Sequence, residues 1–316
     1  LPETYHIQSI SSLEFQQFTD SFNRNSSKVW IIKPGEDTNR GNGITILDNL
    51  AEISKVINKE VGPGAHAKDR TFIVQHYINA PLLYHKRKFD IRAYMMITSS
   101  NGVIKGYWYQ EGYIRTSGYL FTLDELSNTY KHLTNDAIQK HSDNYGKYEK
   151  GNKIGYSDFQ RYLEVNGSRH NFYRDVYPTM RKIATDAIKA TALFLDPQKL
   201  NNNFEVFGLD FMIDTHFRTY LIEVNTNPCL ETGCPVLDRV IPNMLENAFR
   251  IGLDPIFPPP QNFPNSKKHY VSENAMMHNN FELVYDELVD GPALNQLYQS
   301  SSRAREQLYE ISLVEE

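Results

Sequence analysis

Hydrophobic and polar positions alternate in several short runs along the first third of the chain. Five runs rich in β-branched and aromatic residues predict β-strands, at Val29–Lys33, Ile44–Leu47, Thr71–Ile78, Phe89–Thr98 and Val103–Gln110. The first two flank a polar tip with glycines and the last two flank Ser-Ser-Asn-Gly, so each pair predicts a hairpin. Apolar residues three or four positions apart predict a helix from about Asn49 to Lys59.

The second half of the chain combines helical periodicity with one further hairpin. Strands at Phe204–Asp214 and Thr219–Asn225 are expected to pair across a short turn. Helices are predicted at Tyr173–Leu195, Val236–Ile251, Phe281–Asp290 and Ala293–Leu313. The polar stretch Thr129–Lys153 shows neither period, and an irregular segment of this length in a compact domain is typical of a functional loop.

These elements predict a mixed α/β (α+β) fold with two lobes and a C-terminal helical extension. The first lobe covers residues 1–84 and the second covers 85–260, before the proline-rich run FPPPQNFP and an acidic helical tail at 261–316. A length of 316 residues with 40% hydrophobic residues supports a sizeable core and excludes a disordered chain. The sequence contains no run of 18 apolar residues, so no membrane partner is expected.

Charge is distributed unevenly along the chain. The net charge is −5, and the tail alone carries four basic and nine acidic residues, so residues 1–260 are close to neutral. This balance argues against a nucleic-acid partner and requires local basic clusters to attract an acidic substrate. Two cysteines fit a reducing compartment rather than a disulfide scaffold. The chain starts at Leu1 without an apolar signal core, so we expect further sequence upstream.

The hairpin of Phe204–Asp214 and Thr219–Asn225 carries the most informative polar residues. Glu223 and Asn225 lie two apart on one strand and Asp210 lies on its predicted partner, so all three are expected on one face. Two carboxylates and an amide oxygen form a ligand set suited to Mg²⁺ shared with nucleotide phosphates. A solvated sheet face is the alternative. The apolar neighbours of both acids favour the metal site, because an unpaired carboxylate among them is costly.

Basic residues at strand positions suit a ligand that contains phosphate. Lys33 ends a hydrophobic strand and enters a loop with three glycines, where an ammonium and backbone N–H groups can approach a phosphate. Lys88, Asp90 and Arg92 share one strand face, which suits recognition of a base, a ribose and a phosphate. A ladder of cross-strand ion pairs is the alternative. Arg115 supplies a second guanidinium for phosphoryl transfer or for a carboxylate.

The segment HLTNDAIQK offers small polar side chains to a nearby phosphate. Thr134 and Asn135 are the expected donors, whereas His132 is either a base or, as histidines more often are, structural. Cys229 and Cys234 lack the partner spacing of a zinc site, so we expect them to be structural.

The order of these motifs along the chain is characteristic. They are WIIKPG…RGNGI, FIVQHYI, PLL…RKFDIR, EGYIRTS, HLTNDAIQK, FGLDFMID and LIEVNTNP, from Trp30 to Pro228. Taken together they resemble the tubulin–tyrosine ligase family of ATP-grasp enzymes, and the resemblance extends to about Pro260. It implies an ATP-grasp fold in which two lobes clasp ATP.

The resemblance implies a role for each candidate residue. Lys33 would bind the ATP phosphates, with Arg40 and Gly41 closing over them. The other nucleotide-binding residues would be Gln75, His76, Tyr77 and Ile78 at the adenine, Lys88 and Asp90 at base and ribose, and Thr134 and Asn135. The metal ligands would be Asp210, Glu223 and Asn225. Arg92 and Arg115 would hold the γ-phosphate and a substrate carboxylate, and with Lys33 they would be the catalytic residues.

The resemblance also implies a reaction, with ATP and Mg²⁺ as cofactors. A glutamate carboxylate of a tubulin tail attacks the γ-phosphate of ATP, and the amine of an amino acid then displaces phosphate from the acyl-phosphate. The implied partners are the C-terminal tails of α- or β-tubulin, or microtubules, and a free amino acid. The implied location is the cytoplasm and cytoskeleton, with the cilium or axoneme as an alternative.

The identity of the added amino acid is indicated less directly. HLTN–IQK–NYGKYE–GN resembles the tyrosine-adding branch, whereas polyglutamylating members typically read LTNYSINK here. WIIKPG resembles glycine-adding members, and EVNTNPCLE departs from the tyrosine branch's EVNGAP. We expect tyrosine, with glycine or glutamate as the alternative. A ligase for small metabolites and a non-catalytic microtubule-binding protein on the same scaffold are the remaining hypotheses.

Overall fold

The structure is a computed structural model that describes residues 1–25, 28–35, 41, 43–58, 71–200, 202–258, 260 and 279–314, with backbone only from 303 onwards. Its described strands are β1 (Thr4–Ile7), β2 (Trp30–Pro34), β3 (Thr45–Leu47), β4 (Phe72–His76), β5 (Leu83–Tyr84), β6 (Arg87–Ser100), β7 (Val103–Tyr109), β8 (Tyr113–Leu120), β9 (Lys153–Gly155), β10 (Asn203–Ile213), β11 (Thr219–Asn225) and β12 (Phe281–Asp286). Its described α-helices are α1 (Leu13–Arg24), α2 (Leu50–Ile57), α3 (Thr129–His132), α4 (Asp136–Gln139), α5 (Tyr156–Val165), α6 (Tyr177–Thr191), α7 (Pro235–Gly252) and α8 (Glu287–Val314). None of these helices is both long and apolar enough to cross a membrane.

The first part of the chain forms a four-stranded antiparallel sheet in the order β1-β4-β2-β3. The helices α1 and α2 begin after Ser12 and Asn49, whose side-chain oxygens accept hydrogen bonds from backbone N–H groups of the first turn. Both helices contribute to a core around Phe18 and Trp30 on one face of the sheet. The predicted hairpin of β2 and β3 and the predicted helix at Asn49–Lys59 are therefore confirmed.

The larger sheet has eight strands and surrounds the long strand β6. Its main order is β11-β10-β6-β7-β12, while β8 pairs with the first half of β6 and β9 pairs with β8. The predicted β6–β7 and β10–β11 hairpins are present, and all described strand pairs are antiparallel. This arrangement confirms a mixed α+β fold, whereas the division into lobes at residue 84 stays a prediction.

Alternation along β6 explains where the sheet can hold a site. Residues Phe89, Ile91 and Ala93 point into a core with α5 and α6. On the opposite face, Tyr94 and Met96 pack in a second core with α7. Lys88, Asp90 and Arg92 lie on that same face but line a cavity instead. The core around α7 therefore covers only part of this face, and the charged residues of β6 occupy another part.

The predicted helix at Phe281–Asp290 is wrong for its first six residues. Phe281–Asp286 forms β12, an antiparallel partner of β7, and α8 begins only at Glu287. The aromatic residues Phe281 and Tyr285 are 1% exposed, and the edge of β7 supplies the backbone hydrogen-bond partners that a helix would have supplied internally. A bulge between Leu283 and Tyr285 accompanies the placement of the Phe281 and Tyr285 rings in two different cores, so this strand does not show a regular period of two.

Substitutions along β12 test this correction. Phe281→Ala should lower the free energy of unfolding by about 3–5 kcal/mol, since a buried aromatic ring is replaced by a cavity. The ring centroid of Phe281 lies 4.8 Å from that of Tyr109. Leu283→Ala, two residues along and 43% exposed, should change it by less than about 1 kcal/mol. Urea-induced unfolding measures both, and equal losses at the two positions would contradict the packing of the Phe281 ring against the sheet.

Candidate active site

A cavity of about 1130 Å³ lies between the two sheets and collects most of the candidate residues. The predicted residues in its wall are Lys33, Gly41, Gln75, Lys88, Asp90, Arg92, Arg115, Thr134, Asn135, Asp210, Glu223 and Asn225. Its volume is slightly above the roughly 300–1,000 Å³ of ordinary small-molecule pockets. The cavity therefore has room for more than one ligand.

The predicted adenine segment is only partly in this wall. The described lining includes Gln75 but not His76, Tyr77 or Ile78, and Arg40 lies outside the described residues. The His76 ring packs edge-on against Trp30, with 5.2 Å between the ring centroids. The adenine roles of these residues stay predictions.

The floor of the cavity is a chain of buried ion pairs across three strands. Arg92 Nε lies 2.6 Å from one oxygen of Asp210, and Arg115 Nη2 lies 2.7 Å from the other. Arg115 also donates from Nε and Nη2 to Asp90, at 2.6 and 2.7 Å. Thr134 donates its hydroxyl hydrogen to Asp90 at 2.5 Å. The cross-strand ion pairs, which are the alternative interpretation of Lys88, Asp90 and Arg92, are therefore present at Asp90 and Arg92.

The ion pairs correct the expectation that Asp210 is an unpaired carboxylate, on which the sequence-based case for a metal depends. Asp210 is only 3% exposed, but its carboxylate is not unpaired. Burial alone would raise the pKa of Asp210, and the Arg115 and Arg92 guanidiniums outweigh burial and hold that pKa well below its usual range. Asp210 is thus ionised and its charge is already compensated by two cations.

The remaining two candidate ligands lie beside Asp210. Asp210 and Glu223 are register partners on β10 and β11, and Asn225 donates from Nδ2 to Glu223 at 3.3 Å. Within the cavity, burial and the nearby Asp210 carboxylate raise the pKa of Glu223. A divalent cation would relieve this repulsion between two carboxylates, so the oxygen donor set fits Mg²⁺. The predicted convergence of the three side chains is confirmed, and their role as ligands stays a prediction.

The donor set suggests that such a metal would be shared with a ligand. Among the described residues, no three His, Cys, Asp or Glu side chains cluster as an independent metal site. Two carboxylates and an amide leave several coordination positions of Mg²⁺ for phosphate oxygens or water. Burial lowers the pKa of the nearby Lys33, although Glu223 and Asp210 partly oppose this effect.

Lys33 of the first sheet and the nearby Gly41 lie in the opposite wall. Lys33 Nζ donates to Gln75 Oε1 at 3.1 Å, so its ammonium is held over the cavity by the neighbouring strand. Gly41 has a φ of 83°, and a Cβ at this position would lie 2.7 Å from Ile138. Both the left-handed backbone and this close contact favour glycine at position 41.

A buried relay of hydrogen bonds closes one end of the cavity. Lys88 donates to the hydroxyl oxygen of Tyr77 at 2.9 Å and to the carbonyl of His132 at 2.7 Å. His132 Nε2 lies 3.1 Å from the carbonyl of Glu125, so it carries the proton, and Nδ1 accepts from Tyr77. Both ring nitrogens are engaged inside the protein, which favours the structural interpretation of His132.

Several cavity residues were missed by sequence reasoning. Lys153 and Asp136 form an ion pair with 2.6 Å between Nζ and Oδ1, and Tyr145 donates to the same oxygen at 3.0 Å. Cys229 and Cys234 also line the cavity. Lys153 was hidden because it ends a polar stretch without periodicity. Only its position before Ile154, at the start of a short strand, could have indicated an inward-facing residue.

Comparison with known proteins assigns the chain to a family. The profile of the Tubulin-tyrosine ligase family matches residues 2–265. The chain belongs to this family. The predicted resemblance is therefore confirmed, and the family's ATP-grasp scaffold agrees with the two antiparallel sheets around the cavity. For a family of ATP-dependent ligases, a site with buried cations, carboxylates and a lysine between two sheets is the expected composition.

Individual relatives include glycylases and a polyglutamylase. Tubulin glycylase 3B of Drosophila melanogaster is 31% identical over 233 residues, which is 72% of this chain and 29% of that protein. Protein monoglycylase TTLL8 of Homo sapiens is 33% identical over 236 residues, 72% of this chain and 26% of that protein. Probable alpha-tubulin polyglutamylase Ttll1 of Tetrahymena thermophila is 28% identical over 297 residues, which is 91% of this chain and 67% of that protein. The chain spans less than a third of the two glycylases.

Two substitutions in the carboxylate pair should have different effects on stability. Asp210→Asn removes the counter-charge of the buried Arg92 and one of the two counter-charges of Arg115, so the free energy of unfolding should fall by about 3–5 kcal/mol. Glu223→Gln removes only a carboxylate that is repelled by Asp210, and it should change this free energy by less than about 1 kcal/mol. Urea unfolding without nucleotide or metal provides the comparison. A larger loss for Glu223→Gln than for Asp210→Asn would contradict the assigned pairing.

Lys88 should make the stability of the protein depend on pH. Burial, opposed in part by Asp90, lowers the pKa of Lys88 from 10.5 to about 7. Between these values the unfolded chain holds a proton that the folded protein lacks. The free energy of unfolding therefore rises with pH, by at most about 1.4 kcal/mol per unit from this residue. Below pH 7 the buried charge is destabilising and this gain is absent.

The pH dependence is measured against a substitution that removes the charge. The free energy of unfolding of Lys88→Met minus that of the wild type should decrease from pH 7 to pH 9. Lys86→Met, at an exposed position just before β6, is the control and should give a constant difference. A constant difference for Lys88→Met as well would show that Lys88 keeps an ordinary pKa.

Proposed function

We propose that the chain is an ATP- and Mg²⁺-dependent ligase that joins glycine to a glutamate carboxylate of a tubulin tail through an amide bond. The observation that carries the proposal is the meeting of Arg92, Arg115, Asp210, Glu223 and Lys33 in one cavity. Such a set of fixed charges suits transfer of a phosphoryl group between two anions.

Each wall of the cavity would have its own task. Lys33 and the backbone around Gly41 would hold the phosphates of ATP. Arg92 and Arg115 are fixed by Asp210 and Asp90, so their guanidiniums would need little reorganisation to hold the γ-phosphate and the acceptor carboxylate. Mg²⁺, held by Glu223, Asn225 and Asp210, would neutralise charge on the phosphates.

The reaction would proceed in two balanced steps. An oxygen of the acceptor carboxylate would form a bond to the γ-phosphorus, the bond to the bridging oxygen would break, and ADP would leave. The amine of the amino acid would then form the C–N bond, lose a proton and release phosphate. The cavity volume of about 1130 Å³ supports this proposal, because a nucleotide and an amino acid would have to bind together.

Glycine is favoured by the names of the relatives. Two of the matched proteins are named as glycylases, and they support glycine over the tyrosine that the HLTNDAIQK region led us to expect. Glutamate is the second candidate, because Ttll1 of Tetrahymena thermophila is named as a probable polyglutamylase and matches 91% of this chain. By this proposal the protein acts at the cytoskeleton, with cilia or axonemes as a specific location.

An amino-acid incorporation panel tests the function. The purified chain is incubated with ATP, Mg²⁺, tubulin and radiolabelled glycine, glutamate or tyrosine in separate reactions. Glycine should be incorporated fastest, and Glu223→Gln should reduce its incorporation by at least about tenfold at low Mg²⁺, since one metal ligand is lost.

The same panel separates the alternatives. Incorporation of none of the amino acids, with ATP still bound, would favour the non-catalytic scaffold. ATP turnover with free amino acids in the absence of tubulin would favour a ligase for small metabolites. Incorporation of tyrosine or glutamate alone would support the ligase function and refute glycine as the added amino acid.

A further inference from the structure

Lys153 is a buried cation in the cavity, and it has no role in the proposed binding of the nucleotide or the metal. The larger sheet passes from β11 through β10, β6 and β8 to β9. Lys153, the first residue of β9, is the register partner of Arg115 on β8. It therefore lies one strand beyond Arg115, on the side away from Asp210 and Glu223.

The surroundings of Lys153 fix its ammonium but leave it able to bind a ligand. Nζ lies 2.6 Å from Asp136 Oδ1 and donates to the carbonyl of Gly151 at 2.8 Å. The residue is 5% exposed and lines the cavity. An ammonium has three N–H donors, so two are engaged with these described residues and one is left for the cavity.

Two cations side by side are costly unless an anion joins them. Like charges that face each other on neighbouring strands destabilise a sheet, and burial strengthens the repulsion. Arg115 is paired with Asp90 and shares Asp210 with Arg92, and Asp136 is shared between Lys153 and Lys140. Burial lowers the pKa of Lys153, while Asp136 opposes this effect. A carboxylate bound next to Lys153 would accept its remaining N–H group and add a counter-charge between the two neighbouring cations.

We propose that Lys153 binds the α-carboxylate of the free amino acid, and that Asp136 is the positioning residue that holds Lys153 in place. This inference rests on the proposed ligase function. A carboxylate at Lys153 directs the amine of the amino acid towards Arg115, where the acceptor is activated. An extended residue spans at most about 3.6 Å, which is less than the strand spacing of about 4.8 Å, so the amine would lie between β9 and β8.

The charges around Lys153 favour a free amino acid over the acidic tail itself. Asp136 and Glu231 both lie within 3.3 Å of Lys140 Nζ in the same wall of the cavity. The two acids balance the charges of Lys140 and Lys153, so this part of the wall has no net positive charge to attract a tail with several carboxylates, whereas a zwitterion brings one carboxylate and no net charge. The acceptor carboxylate must also lie beside the γ-phosphate, near Arg92 and Arg115, rather than at β9.

The test compares glycine with glycinamide, which has the same amine but no carboxylate. Initial rates of incorporation into tubulin are measured for the wild type and for Lys153→Met. The wild type should use glycine with a higher kcat/KM than glycinamide. Lys153→Met should lower kcat/KM for glycine by about 10- to 100-fold, mainly through KM, as expected for a lost hydrogen bond to a charged group. The value for glycinamide and the KM for ATP should change by less than about twofold.

Two further variants separate binding from a structural role. Lys153→Arg keeps the cation and should recover part of the preference for glycine over glycinamide. Lys150→Met is the matched control, an exposed lysine three residues away, and should leave both substrates unchanged.

The possible failures are distinguishable. An equal loss for glycine and glycinamide in Lys153→Met, or no loss for glycine, would overturn the inference while leaving the ligase intact. Failure of the wild type to incorporate any amino acid would overturn the proposed function and the inference with it. A variant that unfolds would be recognised by loss of ATP binding, and Lys153→Arg then decides through its glycine-to-glycinamide ratio.

Discussion

The site depends on one electrostatic constraint: the buried carboxylate of Asp210 must remain ionised between two guanidiniums. Arg92 and Arg115 come from different strands and meet at Asp210, 118 residues along the chain from Arg92. In a region of low polarity, removal of any member leaves an uncompensated charge at a cost of several kcal/mol. The network therefore holds β6, β8 and β10 in register and fixes the direction of each charged side chain before a ligand binds.

The two ends of this network have opposite character. Towards β11, Glu223 and Asn225 add a carboxylate and an amide, which suit a divalent cation with phosphates. Towards β9, Lys153 adds a second cation beside Arg115. A phosphoryl donor, an acceptor carboxylate and an amino acid would thus be arranged in sequence along one sheet. The apolar face of β6 anchors this arrangement, because Phe89 and Ile91 alternate with the charged residues and pack against helices.

Local patterns were sufficient for much of this architecture. The period of two placed Lys88, Asp90 and Arg92 on one face, and the short turn after β10 placed Glu223 opposite Asp210. The partners of these charges were not predictable, because the pairing of β6 with β10 and of β8 with β9 joins distant segments. The sequence around Phe281 predicts a helix instead of a strand, because the strand pairs with the edge of β7, a distant segment that local periodicity does not reveal. The set of sequence motifs indicates the family. The position of Lys153 beside Arg115 becomes visible only in the folded structure.

The central claim is that Asp210, Glu223 and Asn225 hold a metal shared with the nucleotide. The most direct measurement is anomalous diffraction at the manganese edge from crystals grown with Mn²⁺ and a non-hydrolysable ATP analogue. The account predicts a peak within about 2.0–2.3 Å of oxygens of Asp210, Glu223 and Asn225, a usual distance for a small divalent cation. Nucleotide bound in the cavity with the manganese peak remote from these residues would contradict it.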